Sequence, residues 1–273
     1  MRTMSTPFFT TALPDRALVA VNGPDWRTFL QGLLSQDVLT LAPGELRFAG
    51  FLTPQGKLIW DLFVLGGEEG CWLDVAAERR AALVQRLTLY RLRAKVTIEA
   101  VDVPVIALWG GVRAPKGWAA DPRLPALGFR GYEAALPQGA QAADVLAYAR
   151  HRLALGVPDP GLDCPAETTY PIEANFDLLA GIDFKKGCFV GQETTSRMKR
   201  RAAVRTRMLP IVFDGPPPAF GAEVLAGDLR AGEVLAGIDG AAMALLRLDR
   251  IEGQALSVGG RPVQVRPTAY TLG

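Results

Sequence analysis

In the N-terminal third of the chain the apolar positions switch between the strand period and the helix period. Residues 17–21 form a short apolar strand ended by Asn22-Gly23-Pro24. Asp25 then stands as a cap before Trp26, Phe29, Leu30, Leu33 and Leu34, which recur at helical spacing. Strands over 47–52 and 57–65 flank Thr53-Pro54-Gln55-Gly56, whose Pro and Gly placement suits a tight turn, so the pair predicts a hairpin. A strand over 71–75 leads into an amphipathic helix over 77–94, with Leu83, Leu87, Tyr90 and Ala94 on one face and Arg79, Arg80 and Arg86 on another. A strand over 96–101 follows. This order predicts an α+β sheet with helices packed on one face.

The pattern partly recurs downstream, with strands over 105–109 and 129–136 and a helix over 144–155 predicting a second α+β region. Pro158, Pro160, Gly161 and Pro165 interrupt regular structure, and from about residue 202 the texture changes. Short alternating runs over 204–213, 222–225, 232–238, 242–248, 256–258 and 262–265 are punctuated by glycine, which predicts an antiparallel β-barrel or sandwich. The expected domains are therefore residues 1–102, 103–201 and 202–273.

With 273 residues, 49% hydrophobic and 21% charged, the chain can bury a substantial core. No apolar stretch reaches the roughly 18 residues that cross a bilayer, and the N-terminal residues show no signal-peptide run, so the expected location is the cytoplasm, away from membranes. Cys71, Cys164 and Cys188 are an odd number with no Cys-x-x-Cys pair, which argues against a disulfide framework and a self-contained metal cage. The net charge of +2 gives no global case for nucleic acid.

Candidate chemistry concentrates in Lys185-Lys186-Gly187-Cys188-Phe189-Val190-Gly191-Gln192-Glu193 and the basic run behind it. Cations favour the thiolate, the reactive form of cysteine, and glycine allows positive φ and close backbone approach. Gln192 and Glu193 can open a helix. Two readings stand on the residues alone: a functional thiol in an electropositive setting, or a small buried residue in a turn beside a solvated helix face. A Cys-His hydrolase would need the single histidine, His151, and nothing in the spacing brings it to Cys188. Between 185 and 207, Lys185, Lys186, Arg197, Lys199, Arg200, Arg201, Arg205 and Arg207 face one acid, Glu193, a density able to hold an anionic ligand tail or RNA phosphates. No RNA-binding aromatic signature accompanies it.

The stretch from Lys186 to Glu193 resembles the K-G-C-[YF]-x-G-Q-E signature of the YgfZ-type folate-binding proteins, bacterial relatives of a mitochondrial iron-sulfur maturation factor. Arg152 with Gly156-Val157-Pro158, Pro171-Ile172-Glu173-Ala174-Asn175, Gly181-Ile182-Asp183-Phe184 and Gln55-Gly56-Lys57 extend the resemblance over nearly the whole chain, weakening in the barrel. It implies the three-domain fold of the glycine cleavage T protein, an α+β architecture around a folate channel with a C-terminal antiparallel β-barrel. It also implies tetrahydrofolate as cofactor, iron-sulfur client or assembly proteins as partners, a monomer, and Cys188 as the acting thiol within the motif Lys186, Gly187, Phe189, Gly191, Gln192 and Glu193. Lys186 would tune the thiol, and folate contacts would fall on Tyr148, Asp61, Arg152, Asn175 and Arg16, the last pairing with the glutamate tail. Two positions depart from the T protein: Trp60-Asp61 replaces its Asp-Asp pair, and Ala154 stands where it carries a pterin-binding glutamate. The alternatives are a folate-dependent aminomethyltransferase and an RNA-modification accessory protein.

Overall fold

The protein is described from a computed structural model over residues 7–111, 113–200 and 204–272. Strand β1 (Phe8–Ala12) leaves its sequence neighbours and pairs further along the chain. There follow β2 (Arg16–Asn22), α1 (Trp26–Gln31), β3 (Leu46–Leu52), β4 (Leu58–Gly66), β5 (Gly70–Ala76), α2 (Arg80–Arg91) and β6 (Thr97–Val101). Strands β2 to β6 form one antiparallel sheet in the order β3-β4-β5-β2-β6. Both faces of β3, β4, β5 and the middle of β2 are covered, so these strands read as nearly unbroken apolar runs, while the edge strand β6 is largely exposed. Val19, Val21, Leu62, Val64, Leu73 and Val75 pack with Trp26 and Leu30 of α1 and Leu83 and Leu87 of α2. Leu18, Phe48 and Phe63 point the other way, into a core shared with Tyr148, Phe176, Phe189 and Met208.

The second sheet joins β1 to β7 (Val105–Gly110), β8 (Trp118–Ala120), β9 (Phe129–Tyr132) and β10 (Gln141–Ala142), in the order β10-β1-β7-β9-β8. Here β1 runs antiparallel to β7, with Phe9 opposite Trp109 and the two rings 5.8 Å apart. Helix α3 (Val145–Ala154) starts where the Asp144 carboxylate accepts the Ala147 amide, and Tyr148 packs on Trp109 at 5.3 Å between centroids. A single turn, α4 (Pro160–Asp163), and a longer helix, α5 (Gln192–Arg200), lead to the C-terminal strands.

These are β11 (Thr206–Val212), β12 (Glu223–Ala226), β13 (Leu229–Ile238), β14 (Ala241–Arg247), β15 (Leu256–Val258) and β16 (Arg261–Val265), with the short helix α6 (Leu248–Ile251) between β14 and β15. They close a barrel in the order β11-β14-β13-β12-β15-β16, filled by Ile211, Val224, Ala231, Val234, Ala244 and Leu246. Closure removes the unpaired edges that an open sheet of such short strands would expose.

Several boundaries differ from the sequence expectation for local reasons. Helix α1 stops at Gln31, and the Asp25 carboxylate accepts the Lys95 amide at 2.8 Å instead of capping it. Helix α2 ends at Arg91 because Leu92 takes φ +47°, and Tyr90, expected on the apolar face, is 38% exposed. The strand expected over 129–136 ends at Tyr132, since Glu133 takes φ +58°. Strands β1, β8 and β10 are absent from the sequence reading. Among the described residues no helix is long and apolar enough to cross a membrane.

Candidate functional site

The cysteine segment is built on the loop that follows α1. The Ser35 hydroxyl donates to the Gly181 carbonyl at 2.6 Å, the Asp183 amide donates to the Ser35 carbonyl at 2.9 Å, and the Gln36 amide group donates to the Ala180 carbonyl at 2.7 Å. Further along, the Val190 amide donates to the Gly32 carbonyl at 3.1 Å. Lys186 is buried, and its ammonium donates to the carbonyls of Gln31, Leu34 and Gln36 at 2.7, 2.6 and 3.0 Å. Burial pulls its pKa down to about 8, with Asp37 and Asp183 only partly opposing. The charge expected to tune the thiol is thus committed to backbone oxygens.

Phe189 is buried in the central core, and its ring lies 5.2 Å from the Lys186 ammonium. Gly191 takes φ +82°, and a Cβ there would stand 2.6 Å from the Thr53 carbonyl oxygen. The β3–β4 turn reciprocates, because a Cβ on Gly56 would stand 2.9 Å from Thr194 Cβ and 3.1 Å from the Gly191 oxygen. The turn sequence Gln55-Gly56-Lys57 and the cysteine motif therefore interlock backbone to backbone. Gly187 has open space where a Cβ would be. Gln192 and Glu193 open α5, as the sequence predicts, with Glu193 in the first turn. Between these anchors Cys188 is exposed, whereas Cys71 and Cys164 are buried and burial raises the pKa of both.

The basic run is partly consumed by the fold. Arg207 is buried and binds Asp177 at 2.6 Å, and Lys199 reaches the same carboxylate at 3.0 Å. Lys185, Arg197 and Arg200 are exposed, and Arg201 lies outside the described residues.

A cavity of about 160 Å3 lies where the first sheet, the second sheet and α3 and α4 meet. Its walls include Leu13, Tyr148, Val145 and Leu162, together with Arg16, Arg123, Arg130, Arg152 and Asp159. Beneath it runs a buried ion network. Arg16 pairs with Asp61 at 2.8 Å and with Asp74 at 2.6 Å, while Arg130 reaches the other oxygen of Asp74 at 2.7 Å. The Tyr132 hydroxyl donates to that same Asp74 oxygen at 2.9 Å, and Arg123 grips Asp121 through two nitrogens. The Arg130 guanidinium lies 3.6 Å from the centroid of the Phe63 ring. Burial disfavours the charge on Arg16, but its pairs with Asp61 and Asp74 outweigh that and raise its pKa. Burial likewise opposes ionisation of Asp159, and Arg152, Arg16, Arg123 and Arg130 together hold its carboxyl below the usual range.

Of the folate contacts expected from sequence, Arg16, Tyr148 and Arg152 line this cavity. Asp61 faces it from below through Arg16, whereas Trp60, the next residue on β4, belongs to the opposite core, because successive strand residues point to opposite faces. Ala154 lines a separate groove against the barrel. Asn175 is brought to neither place: it is buried at φ +61°, donating to the Met208 carbonyl and the Tyr270 hydroxyl and accepting from Arg207. Asp74, Asp121, Arg123, Arg130, Asp159 and Asp163 were not singled out in the sequence. A signal existed for one of them, since Asp74 interrupts an otherwise apolar strand. Among the described residues no group of three or more His, Cys, Asp or Glu could hold a metal ion.

Residues 205–271 match the family model described as the CAF17 C-terminal beta-barrel domain. The whole chain is similar to the crystal structure of glycine cleavage system aminomethyltransferase T from Bartonella henselae, with a TM-score of 0.75 over 97% of this chain and 86% of that one at 18% identity. Architecture and barrel together define a protein of the aminomethyltransferase T fold class. Sequence relatives narrow this. The chain is 32% identical over 279 residues to the human mitochondrial iron-sulfur cluster assembly factor IBA57, covering 88% of this chain and 78% of that protein. It is 35% identical over 235 residues to the Mycosarcoma maydis IBA57 homolog, covering 76% and 58% respectively. The chain belongs to the IBA57 family. It spans 54% to 58% of the length of four fungal relatives. The expectation of a cytoplasmic location is corrected by these relatives, whose names place them in the mitochondrion.

Proposed function

We propose that the protein assists synthesis or repair of iron-sulfur clusters in other proteins, with Cys188 as the acting thiol and a tetrahydrofolate bound in the arginine-lined cavity. The observation that carries the reading is the contrast among the cysteines. Cys188 alone of the three is exposed, as a thiol must be to meet a cluster on another protein, and it stands in a segment anchored on both sides. The names of the human and fungal relatives support the client class.

The cavity suits a pterin. Tyr148 and Leu13 offer an apolar wall. Among the described residues Arg123 and Arg130 each keep a terminal guanidinium nitrogen free of protein partners, and the Asp159 carboxylate has only the Gly161 amide on one oxygen. Such donors and such an acceptor complement the ring carbonyl and adjacent N–H groups of a pterin. When bound, a tetrahydrofolate supplies a nitrogen able to carry a one-carbon unit. Arg152, held by the Val157 carbonyl at 2.7 Å, closes the far side.

An aminomethyltransferase of the T type has less support. Its acid pair is reduced to Asp61, whose carboxylate is occupied by Arg16, and Trp60 lies on the other side of the sheet. Direct RNA binding has less support, because Lys186 and Arg207 are buried on internal partners and Lys199 pairs with Asp177, which thins the basic run.

Two measurements test the reading. Calorimetric titration with tetrahydrofolate should show saturable binding that Tyr148→Ala weakens about tenfold or more. Cells carrying Cys188→Ala should lose activity of cluster-dependent enzymes under oxidative stress, and full retention of that activity would sink the thiol's role.

A further inference from the structure

We infer that Lys186 is a positioning residue for Cys188, a buried ammonium that clamps the cysteine loop onto the carbonyl of Gln31, at the end of α1, and those of Leu34 and Gln36 in the loop after it. The inference rests on Cys188 being the acting thiol. A helix leaves the carbonyls of its last turn without intrahelical partners, and those oxygens carry the negative end of its dipole. Gln31 ends α1, so its carbonyl is one of these, while Leu34 and Gln36 lie in the loop beyond the helix. One ammonium satisfies all three of their oxygens, at 2.7, 2.6 and 3.0 Å.

The donor count argues for holding rather than hydrogen-bonding the thiol. An ammonium has three N–H donors, and here all three are spent on carbonyls, so none is left to donate to a thiolate. The lysine side chain runs inward, the Phe189 ring covers it at 5.2 Å, and the Val190 amide pins the following residue to Gly32 at 3.1 Å. Cys188 thus lies in a span two residues from one anchor and two from the other, too short to wander. The charged groups facing the clamp are Asp37 and Asp183. Asp37 is occupied by Thr40, Gln31 and Arg47, and Asp183 accepts the amides of Lys185 and Lys186. Neither carboxylate makes a salt bridge to the lysine, so the clamp is an ammonium on backbone oxygens whose grip weakens when it loses its proton.

The experiment uses the full chain, its Lys186→Met and Lys186→Arg variants, amide hydrogen exchange over residues 186–191, and the pH dependence of Cys188 alkylation by iodoacetamide. Lys186→Met should speed exchange of the Val190 amide about tenfold or more and leave the alkylation midpoint within about 0.3 pH unit. In the parent, Val190 protection, corrected for intrinsic exchange, should fall above about pH 8. Lys186→Arg, charged at every pH used, should keep that protection. An alkylation midpoint raised by about one unit with Val190 exchange unchanged would make Lys186 an electrostatic activator and overturn the clamp. Should Lys186→Met not accumulate folded, the parent and arginine profiles decide, and the same loss above pH 8 in both also overturns it. Full cluster-dependent activity in Cys188→Ala cells would strike the thiol's role alone, because the exchange profiles read the loop whatever the thiol does.

Discussion

Asp74→Asn tests whether the ion network under the cavity holds the first two sheets together. The Asp74 side chain is 1% exposed and serves three donors: Arg16 at 2.6 Å, Arg130 at 2.7 Å and Tyr132 at 2.9 Å. Asparagine keeps one acceptor and turns an amino group toward a guanidinium. Arg16 retains Asp61 at 2.8 Å and the backbone carbonyl of residue 74, so its loss is partial. Arg130 retains Asp121 as its only carboxylate, at 3.4 Å, and the face of Phe63, so it bears most of the cost. Removing one partner of a buried ion pair costs about 3–5 kcal/mol, and the surviving contacts place Asp74→Asn at about 3 kcal/mol. With about 2.1 cal/mol/K of unfolding entropy per residue over 273 residues, that corresponds to a drop of about 5 °C in Tm. Differential scanning calorimetry reads the shift, and a double-mutant cycle reads the coupling. Arg130→Met should cost about 3 kcal/mol or more in the parent and under about 1 kcal/mol in the Asp74→Asn background. A single variant within about 1 kcal/mol of the parent, or strictly additive variants, would refute the network as the link between the sheets.

Other outcomes follow from single contacts. Asp163 is fully buried and links α4 to the barrel by accepting the amides of Asp159 and Ala236, and burial raises its pKa to about 7 despite Arg152. The folded state therefore holds that proton more tightly than the unfolded chain, and stability is lost as pH rises from about 4 to about 7. Urea melts of Asp163→Asn should move in the variant's favour by about 2–4 kcal/mol between about pH 5 and pH 8, and a pH-independent difference would contradict this. Gly191→Ala, which combines φ +82° with a Cβ 2.6 Å from a carbonyl oxygen, should cost about 2 kcal/mol or more, whereas Gly187→Ala, with open space, should change stability by under about 1 kcal/mol. Mass spectrometry after brief alkylation of the native protein should find the label on Cys188 and little on Cys71 or Cys164, both buried.

The elements that periodicity showed most clearly are those that carry a local signal of their own, a turn sequence or an alternating run. The β3–β4 hairpin was visible because Thr53-Pro54-Gln55-Gly56 supplies its turn chemistry, and the barrel because glycines punctuate its short strands. Strand β1 was not visible, since its partners β7 and β10 lie about a hundred residues away and only their pairing gives it a place. The site divides in the same way. A carboxylate inside an apolar strand, as at Asp61 and Asp74, cannot be buried alone, so each announces a buried cation before that cation can be named. Lys186 announces nothing of the kind. Beside Lys185 and ahead of a basic helix it reads as one more surface charge near the thiol, and its partners are backbone oxygens roughly 150 positions earlier, which no side-chain pattern encodes. The motif therefore shows which residues accompany the cysteine, while the division of labour within it follows from burial: the lysine and phenylalanine turn inward to hold, and the cysteine between them faces out.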